Sequence, residues 1–316
     1  MSKELIKFER VDAEFLDFMH LIYYINGTCK FNCDYCFVMN NRKRNHEFNN
    51  QLNIIDTFFR LKTKFDIYFY GGEPTEYKHL HDIVRYINDK SSPFFRKMEL
   101  QTNLNVSIDE LEVFCKYNDL VVSPSIHINF LRGDTIYDLI DKLDIIESHD
   151  RLKRVDFMLE SKNPELHYKF NDMLRERDYY DKVMYTYNYM EINKDDTYTG
   201  AYNTRDMYRD IVNHAGKQES YRLTYDDGSV EEVDISDLYL RNIDFKEWYC
   251  DAGRYVMFVE YTGDWWLCDT KYMKEKPMGN LLKSPGRFLA QTKTPYKCHV
   301  EKCDGCYYVN KVKKCI

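Results

Sequence analysis

The sequence predicts an α/β fold in which six strand–helix units wind into an open or partly closed barrel, followed by a small cysteine-rich domain. Short apolar runs alternate with amphipathic helical patterns from residue 19 to about residue 190, which is typical of parallel βα units. After residue 198 the pattern changes to short alternating runs joined by turn residues, as in antiparallel hairpins. Cysteines gather at residues 29–36 and again at residues 250–315.

Strands and helices alternate regularly along the first part of the chain. We predict strands at residues 19–25, 66–70, 97–101, 120–127, 155–160 and 182–190. Helices are predicted at residues 52–61, 76–88, 108–117, 135–148, 164–174 and 203–214. Right-handed crossovers make the six strands parallel, and sheets of this kind bind ligands at the carboxyl ends of their strands.

Three segments are expected along the chain. Residues 1–18 are predicted to be an N-terminal capping segment, and residues 19–198 the partial barrel. Residues 199–316 are predicted to form a small α+β domain with two hairpins. The first hairpin turns at Asp227-Gly228, and the second turns at Gly263.

Composition narrows the class of protein. With 316 residues and 44% hydrophobic content, the chain can bury a sizeable core. A net charge of −7 argues against a nucleic-acid partner, and no apolar run is long enough for a membrane span. We therefore expect a soluble cytoplasmic protein. Because cytosol disfavours disulfides, the two cysteine groups are expected to bind metal, whereas the lone Cys115 is expected to be a buried small hydrophobe.

The first cysteine group follows the first predicted strand. Cys29, Cys33 and Cys36 lie on a loop that begins after Asn26-Gly27, and thiolates so close in sequence can surround one soft metal centre. A cubane iron–sulfur cluster normally takes four cysteines, so three thiols leave one iron open. The next predicted strand ends at Gly-Gly-Glu-Pro, residues 71–74, at the same edge of the sheet.

This CxxxCxxC spacing, together with the Gly-Gly-Glu-Pro segment, resembles the radical S-adenosylmethionine (SAM) superfamily over about residues 18–190. The resemblance implies a partial (βα)6 TIM-like barrel, a [4Fe-4S] cluster on the three cysteines, and SAM chelated to the fourth iron. It also implies an enzyme in which one electron cleaves SAM to methionine and a 5′-deoxyadenosyl radical, which abstracts hydrogen from a substrate. A flavodoxin, a ferredoxin or another reductase would supply the electron.

The same resemblance suggests which residues contact SAM. Glycines without side chains let a ligand approach closely, and the carboxylate of Glu73 is expected to accept a hydrogen bond from the SAM amino group. Asn103 is a candidate for the SAM carboxylate and Ser125 for the ribose. His127 is either a SAM or substrate contact or a satisfied core histidine. The candidates are Tyr35, Gly71, Gly72, Glu73, Asn103, Ser125 and His127; no residue is predicted as a catalytic acid or base.

The second cysteine group resembles the SPASM and Twitch extensions of this superfamily, which hold auxiliary [4Fe-4S] clusters. The opening of that pattern is matched by Cys250, Gly263 and Cys268, with twelve residues between the first two and four between the last two. The full seven-cysteine pattern is not matched, so we expect one auxiliary cluster in a Twitch-like arrangement. We rank Cys250, Cys268, Cys303 and Cys306 first as its ligands, Cys298 next and Cys315 last. A tetrahedral zinc site is the alternative for the same thiols.

The sequence leaves the substrate open. The SPASM and Twitch groups modify ribosomally made peptides or oxidise small metabolites, and both substrate classes are kept as candidates. The alternative to an enzyme is a non-catalytic iron–sulfur or zinc protein that transfers electrons or binds a partner.

Overall fold

Two β-sheets organise the part of the chain that the computed structural model describes. These are residues 3–11, 17–31, 33, 36, 47–131, 133–159, 163–187, 220–234, 241, 243–268, 275–290, 295–298 and 310–313. The strands, in chain order, are β1 Leu5–Arg10, β2 Met19–Asn26, β3 Phe65–Gly71, β4 Phe95–Thr102, β5 Leu120–Ile126, β6 Val155–Leu159, β7 Val183–Tyr187, β8 Ser220–Tyr225, β9 Val230–Asp234, β10 Tyr249–Cys250, β11 Val256–Glu260, β12 Asp264–Trp266, β13 Gly279–Asn280, β14 Tyr296–Lys297 and β15 Lys311–Val312. The helices are α1 Phe48–Phe58, α2 Leu80–Asn88, α3 Ile108–Cys115, α4 Ile136–Ser148, α5 Pro164–Arg175 and α6 Pro285–Ala290.

The larger sheet has the strand order β13-β12-β11-β2-β3-β4-β5-β6-β7 within the described ranges. Every neighbouring pair from β11 to β7 is parallel. One face packs against the helices because alternate residues of each strand are apolar: Ile67 and Phe69 of β3 share a core with Phe58 of α1 and Ile83 of α2. The predicted α/β class is therefore confirmed, and the described strands form an open sheet.

The predicted strand–helix alternation is confirmed with small shifts at the ends. The helix predicted at residues 76–88 begins at Leu80 because Pro74–Glu76 form a separate turn of 3₁₀ helix. Both hairpins form as predicted, β8 with β9 and β11 with β12. The helix predicted at residues 203–214 and the end of the sixth strand, at 188–190, lie outside the described residues. No helix in the described ranges is both long and apolar enough to cross a membrane.

The larger sheet extends across the predicted boundary at residues 198/199. Strand β11 pairs in parallel with β2, with Phe258 opposite Ile22. Strands β12 and β13 extend the same edge in antiparallel pairs. The physical reason is that β2 would otherwise present an unpaired edge of backbone donors and acceptors. The predicted cysteine-rich segment thus supplies three strands to the sheet that carries the first cysteine loop.

The smaller sheet contains the amino-terminal residues, which we had expected to be a capping segment. Its order is β14-β10-β15-β1-β8-β9 in the part of the chain that is described. Strand β1 pairs antiparallel with β8 on one side and β15 on the other. Phe8 is fully buried, stacked on Tyr221 at 5.1 Å between ring centroids. Strand β1 is thus an interior strand of this sheet.

This placement of β1 makes a stability prediction. Phe8→Ala removes a buried ring, which typically costs about 3–5 kcal/mol, and is expected to speed amide hydrogen exchange in β8 and β10 while leaving β3 protected. Ile6→Ala is the matched control because Ile6 is exposed on the same strand. If the amide hydrogen-exchange rates of β8 were the same in Phe8→Ala and in the wild type, β1 would not stabilise the smaller sheet.

Candidate functional site

The first thiol site, Cys29, Cys33 and Cys36, lies on the loop after β2, at the carboxyl edge of the larger sheet. Cys33 is buried, and the other two thiols are half-buried. A turn in which Cys36 N donates to Cys33 O at 3.1 Å brings the last two cysteines together. Cys36 also packs on an apolar cluster that contains Tyr24. Tyr35, predicted to contact SAM, lies outside the described residues.

The Gly-Gly-Glu segment after β3 is joined directly to this loop. Gly72 N donates to Asn26 O at 3.1 Å, and Glu73 N donates to Thr28 O at 2.6 Å. The backbones lie so close that a Cβ on Gly72 would lie 2.0 Å from the Thr28 carbonyl oxygen, and one on Gly71 would lie 2.4 Å from Asn26 O. We expected the two glycines to make room for a ligand, and the structure supplies another reason: they make room for the cysteine loop.

The carboxylate of Glu73 is buried and fully engaged with protein donors. Its Oε1 accepts hydrogen bonds from the hydroxyls of Thr75 and Thr102 at 2.7 and 2.8 Å, and from Thr75 N. Its Oε2 accepts from Asn103 N at 2.7 Å. Burial raises the pKa of Glu73, and these hydrogen bonds oppose the rise. The described partners of this carboxylate are residues at the ends of β3 and β4, and its contact with SAM stays a prediction.

Asn103 contacts the first thiol site itself. Its side-chain Nδ2 donates to Cys29 Sγ at 3.6 Å, while its Oδ1 accepts from Asn105 N at 2.9 Å. Burial, reinforced by the nearby carboxylates of Glu73 and Glu76, raises the pKa of the Cys29 thiol to about 12. A thiol in this environment loses its proton only when a cation takes its place. The donor set therefore fits a metal centre rather than a free reactive thiolate.

Ser125 and His127 stand at the carboxyl end of β5, beside this loop. Ser125 Oγ and His127 Nε2 are 2.7 Å apart, in hydrogen-bond contact. The His127 ring meets the edge of Phe31, from the cysteine loop, at 6.3 Å between centroids. Desolvation lowers the pKa of His127 to about 4, so this imidazole is neutral near pH 7. Because β4 and β5 are parallel neighbours, Asn103, Ser125 and His127 lie at one edge of the sheet, and their contact with a ligand stays a prediction.

The face of the larger sheet opposite the helices carries polar side chains that sequence reasoning missed. Glu99 of β4 accepts a hydrogen bond from Ser123 Oγ of β5 at 2.6 Å, and His20 Nδ1 contacts Tyr68 Oη at 2.9 Å. Burial raises the pKa of Asp66, on the same face, to about 6. The signal was a polar residue at every second position of predicted strands. Hydrogen-bonded polar side chains on neighbouring strands therefore line this face of the sheet, which is unusual for a purely structural core.

The second thiol site comprises Cys250, Cys268 and Cys298, which are all buried. Strand pairing places Cys250 opposite Tyr296, and Cys268 Sγ lies 3.4 Å from Tyr296 Oη. Cys298 follows on the same strand pair, with its N–H donating to Trp248 O at 2.8 Å. Cys298 thus lies opposite Trp248, two residues before Cys250. Cys303, Cys306 and Cys315 lie outside the described residues.

The thiol chemistry of the second site also fits a metal centre. Cys250 and Cys268 belong to one apolar, aromatic cluster, and thiolates are the usual ligands of iron–sulfur clusters and zinc. Among the described residues, no three His, Cys, Asp or Glu side chains are grouped closely enough to hold one metal ion.

The fold and the site together are typical of one class of protein. In this class a loop with three cysteines is joined to a Gly-Gly-Glu segment at the carboxyl edge of a parallel sheet. The chain belongs to the radical SAM superfamily, whose sequence model matches residues 23–202.

Solved structures share this fold. The protein anSMEcpe with bound AdoMet and Cp18Cys peptide superposes with a TM-score of 0.57 at 14% identity, over 87% of this chain and 81% of that chain. SuiB of Streptococcus suis bound to the precursor peptide SuiA gives a TM-score of 0.55 at 15% identity, over 84% of this chain and 63% of that chain. At these identities the likeness concerns the fold alone.

A sequence relative covers a smaller part of the chain. The uncharacterized protein MJ0907 of Methanocaldococcus jannaschii is 32% identical over 108 residues, which are 34% of this chain and 38% of that protein. The matched region thus spans well under half of either protein.

The close packing at Gly72 makes a prediction about metal binding. Gly72→Ala is expected to push the cysteine loop away from β3, because the new Cβ meets Thr28 backbone atoms that cannot yield. Iron retained after anaerobic reconstitution should then fall by about four atoms per chain. Gly286→Ala is the control, since a Cβ there meets nothing within 4 Å. Full iron content in Gly72→Ala would contradict the argument.

The Asn103–Cys29 contact makes a prediction about redox potential. Hydrogen bonds to cluster sulfurs raise the reduction potential, so Asn103→Ala is expected to shift a cluster on Cys29 to a more negative potential. An electron paramagnetic resonance (EPR) redox titration measures this shift. Asn105→Ala is the matched control because only the backbone N–H of Asn105 contacts Asn103. Equal potentials in wild type and Asn103→Ala would refute a role for this bond.

Proposed function

We propose that this protein is a radical SAM enzyme that binds a [4Fe-4S] cluster at Cys29, Cys33 and Cys36 and SAM at the cluster's open iron. The observation that carries the proposal is the locking of the cysteine loop to the Gly-Gly-Glu segment by two backbone hydrogen bonds. The loop that carries Cys29, Cys33 and Cys36 therefore begins at the ligand-binding edge of a parallel sheet.

When bound, the cluster and SAM supply reductive cleavage of SAM and a carbon radical that removes hydrogen from the substrate. The protein's part is binding, orientation and exclusion of water. Glu73 holds the ends of β3 and β4 together through its buried carboxylate. Asn103 orients Cys29 through its amide. Ser125 and the neutral His127 then offer polar groups to the SAM ribose or to the substrate.

For the second thiol site we propose one auxiliary [4Fe-4S] cluster. Cys250, Cys268 and Cys298 are the ligands that their shared burial supports. The fourth ligand is proposed to be Cys303 or Cys306. Such a cluster would exchange electrons with a substrate radical or anchor the substrate.

For the substrate we favour a peptide over a small metabolite. Two proteins of similar fold were solved with peptides, SuiB with the precursor peptide SuiA and anSMEcpe with the Cp18Cys peptide. The electron donor is proposed to be a flavodoxin, a ferredoxin or another reductase.

Release of 5′-deoxyadenosine tests the proposal. After anaerobic reconstitution, reduction with dithionite in the presence of SAM is expected to yield 5′-deoxyadenosine from the wild type and none from Cys33→Ala. Cys115→Ala is the control, because Cys115 is a buried cysteine of α3 outside both thiol sites. A wild type that binds iron but releases no 5′-deoxyadenosine would favour the alternative, a non-catalytic iron–sulfur protein. Zinc in place of iron would favour a structural metal protein.

Iron content tests the auxiliary cluster independently. Two clusters give about eight iron atoms per chain, and Cys250→Ala is expected to leave about four without abolishing binding at the first site. A wild type with about four iron atoms would remove the auxiliary cluster from the proposal.

A further inference from the structure

A buried lysine of helix α4 links two loops at the carboxyl edge of the larger sheet. Lys142 is 5% exposed, and its Nζ donates a hydrogen bond to Leu104 O at 2.9 Å. The same ammonium group forms an ion pair with the carboxylate of Asp134. Leu104 lies in the turn that follows β4, and Asp134 lies in the loop between β5 and α4. One side chain thus holds both loops.

The turn after β4 has a backbone shape that needs support from outside the turn. Leu104 has a φ of 59°, in the left-handed region that a leucine rarely adopts. The whole residue is buried in the apolar core, so its carbonyl oxygen needs a hydrogen-bond donor from the protein. The ammonium group of Lys142 supplies that donor.

The same turn carries Asn103, whose side chain contacts Cys29. Leu104 N donates to Thr102 Oγ1 at 3.1 Å, and Asn105 N donates to Asn103 Oδ1 at 2.9 Å. The second bond fixes one end of the Asn103 amide and leaves the other end, Nδ2, to donate to Cys29 Sγ at 3.6 Å. The orientation of this amide toward the cysteine therefore depends on the conformation of the turn.

A charged donor suits this place in the fold. Hydrogen bonds from an ammonium group are stronger than those from a neutral donor, and the carboxylate of Asp134 offsets part of the cost of burying the charge. The side chain of Asp134 is 32% exposed, so the ion pair lies at the boundary between core and water. Without the ammonium group, Leu104 O would be buried with its donor removed, which destabilises this conformation of the turn.

We propose that Lys142 is a positioning residue for the first thiol site, which holds the turn after β4 so that Asn103 stays within hydrogen-bond distance of Cys29. The inference rests on the proposed [4Fe-4S] cluster at that site. Because Lys142 acts through the carbonyl oxygen of Leu104, it influences the reduction potential of the cluster by way of the Asn103 amide.

Hydrogen exchange, measured with and without bound iron, tests the hold of Lys142 on the turn. The N–H groups of residues 103–105 are all hydrogen-bonded. In Lys142→Met they are expected to exchange about tenfold faster than in the wild type, as the loss of one hydrogen bond implies. Asp134→Ala removes one partner of the lysine and should act in the same direction, which decides the matter if Lys142→Met does not fold. Lys182→Met is the control, because it breaks an ion pair with Glu147 at the other end of α4.

A double-mutant cycle tests the route from the lysine to the cluster. A Cys250→Ala background leaves the first cluster as the one that an EPR-monitored redox titration observes. Lys142→Met is expected to shift its potential to a more negative value, and to cause no further shift once Asn103→Ala is present. Lys182→Met should keep the potential of the parent, whereas a lysine that only stabilises the fold would change the unfolding temperature and not the potential.

The outcomes separate this inference from the proposed function. An unchanged potential or an unchanged exchange rate in Lys142→Met would overturn the role of Lys142 and leave the cluster at the first site in place. Additive shifts from Lys142→Met and Asn103→Ala would show that the lysine acts by another route, which also overturns it. A wild type that binds no iron would overturn the proposed function, and the inference with it.

Discussion

The buried carboxylate of Glu73 is the constraint on which the first thiol site depends. A carboxylate removed from water is unfavourable unless donors surround it, and here the donors come from Thr75, Thr102 and Asn103. These contacts fix the ends of β3 and β4 relative to each other. Through its own backbone, Glu73 also holds Thr28, immediately before the first cysteine. One residue thereby couples two strands and the cysteine loop.

The two thiol sites share one apolar cluster, although they lie far apart in the sequence. Tyr24 of β2, Phe258 of β11 and Cys250 of β10 belong to it, and Cys36 packs against it. The ring centroids of Tyr24 and Phe258 are 6.1 Å apart. Strand β11 connects the two regions. It pairs with β2 in the larger sheet, and in the chain it follows directly after β10 of the smaller sheet. One cysteine of the first site and two of the second thus border the same apolar cluster.

The sequence predicted the strands of the larger sheet well, because a strand buried on one or both faces leaves a short apolar run between turn residues. The cysteine loop and residues 71–73 were also placed correctly at one edge, since parallel strands bring their carboxyl ends together. The partners of Glu73 were not predictable, because they depend on the register between β3 and β4. The pairing of β1 with β15 was not predictable for the same reason: strands of six and two residues carry no signal that identifies a distant partner.

The pairing of β1 with β15 has a consequence for the order of events during synthesis. Lys7 pairs with Val312, so β1 waits for a partner strand made about half a minute after it at ordinary elongation rates of roughly 10 residues per second. Strands β2 to β5 pair with neighbours close in sequence, which is the faster route. The strands beside the first thiol site can therefore pair before β14 and β15, beside the second site, are made. Assembly of the two sites is ordered in time by topology alone.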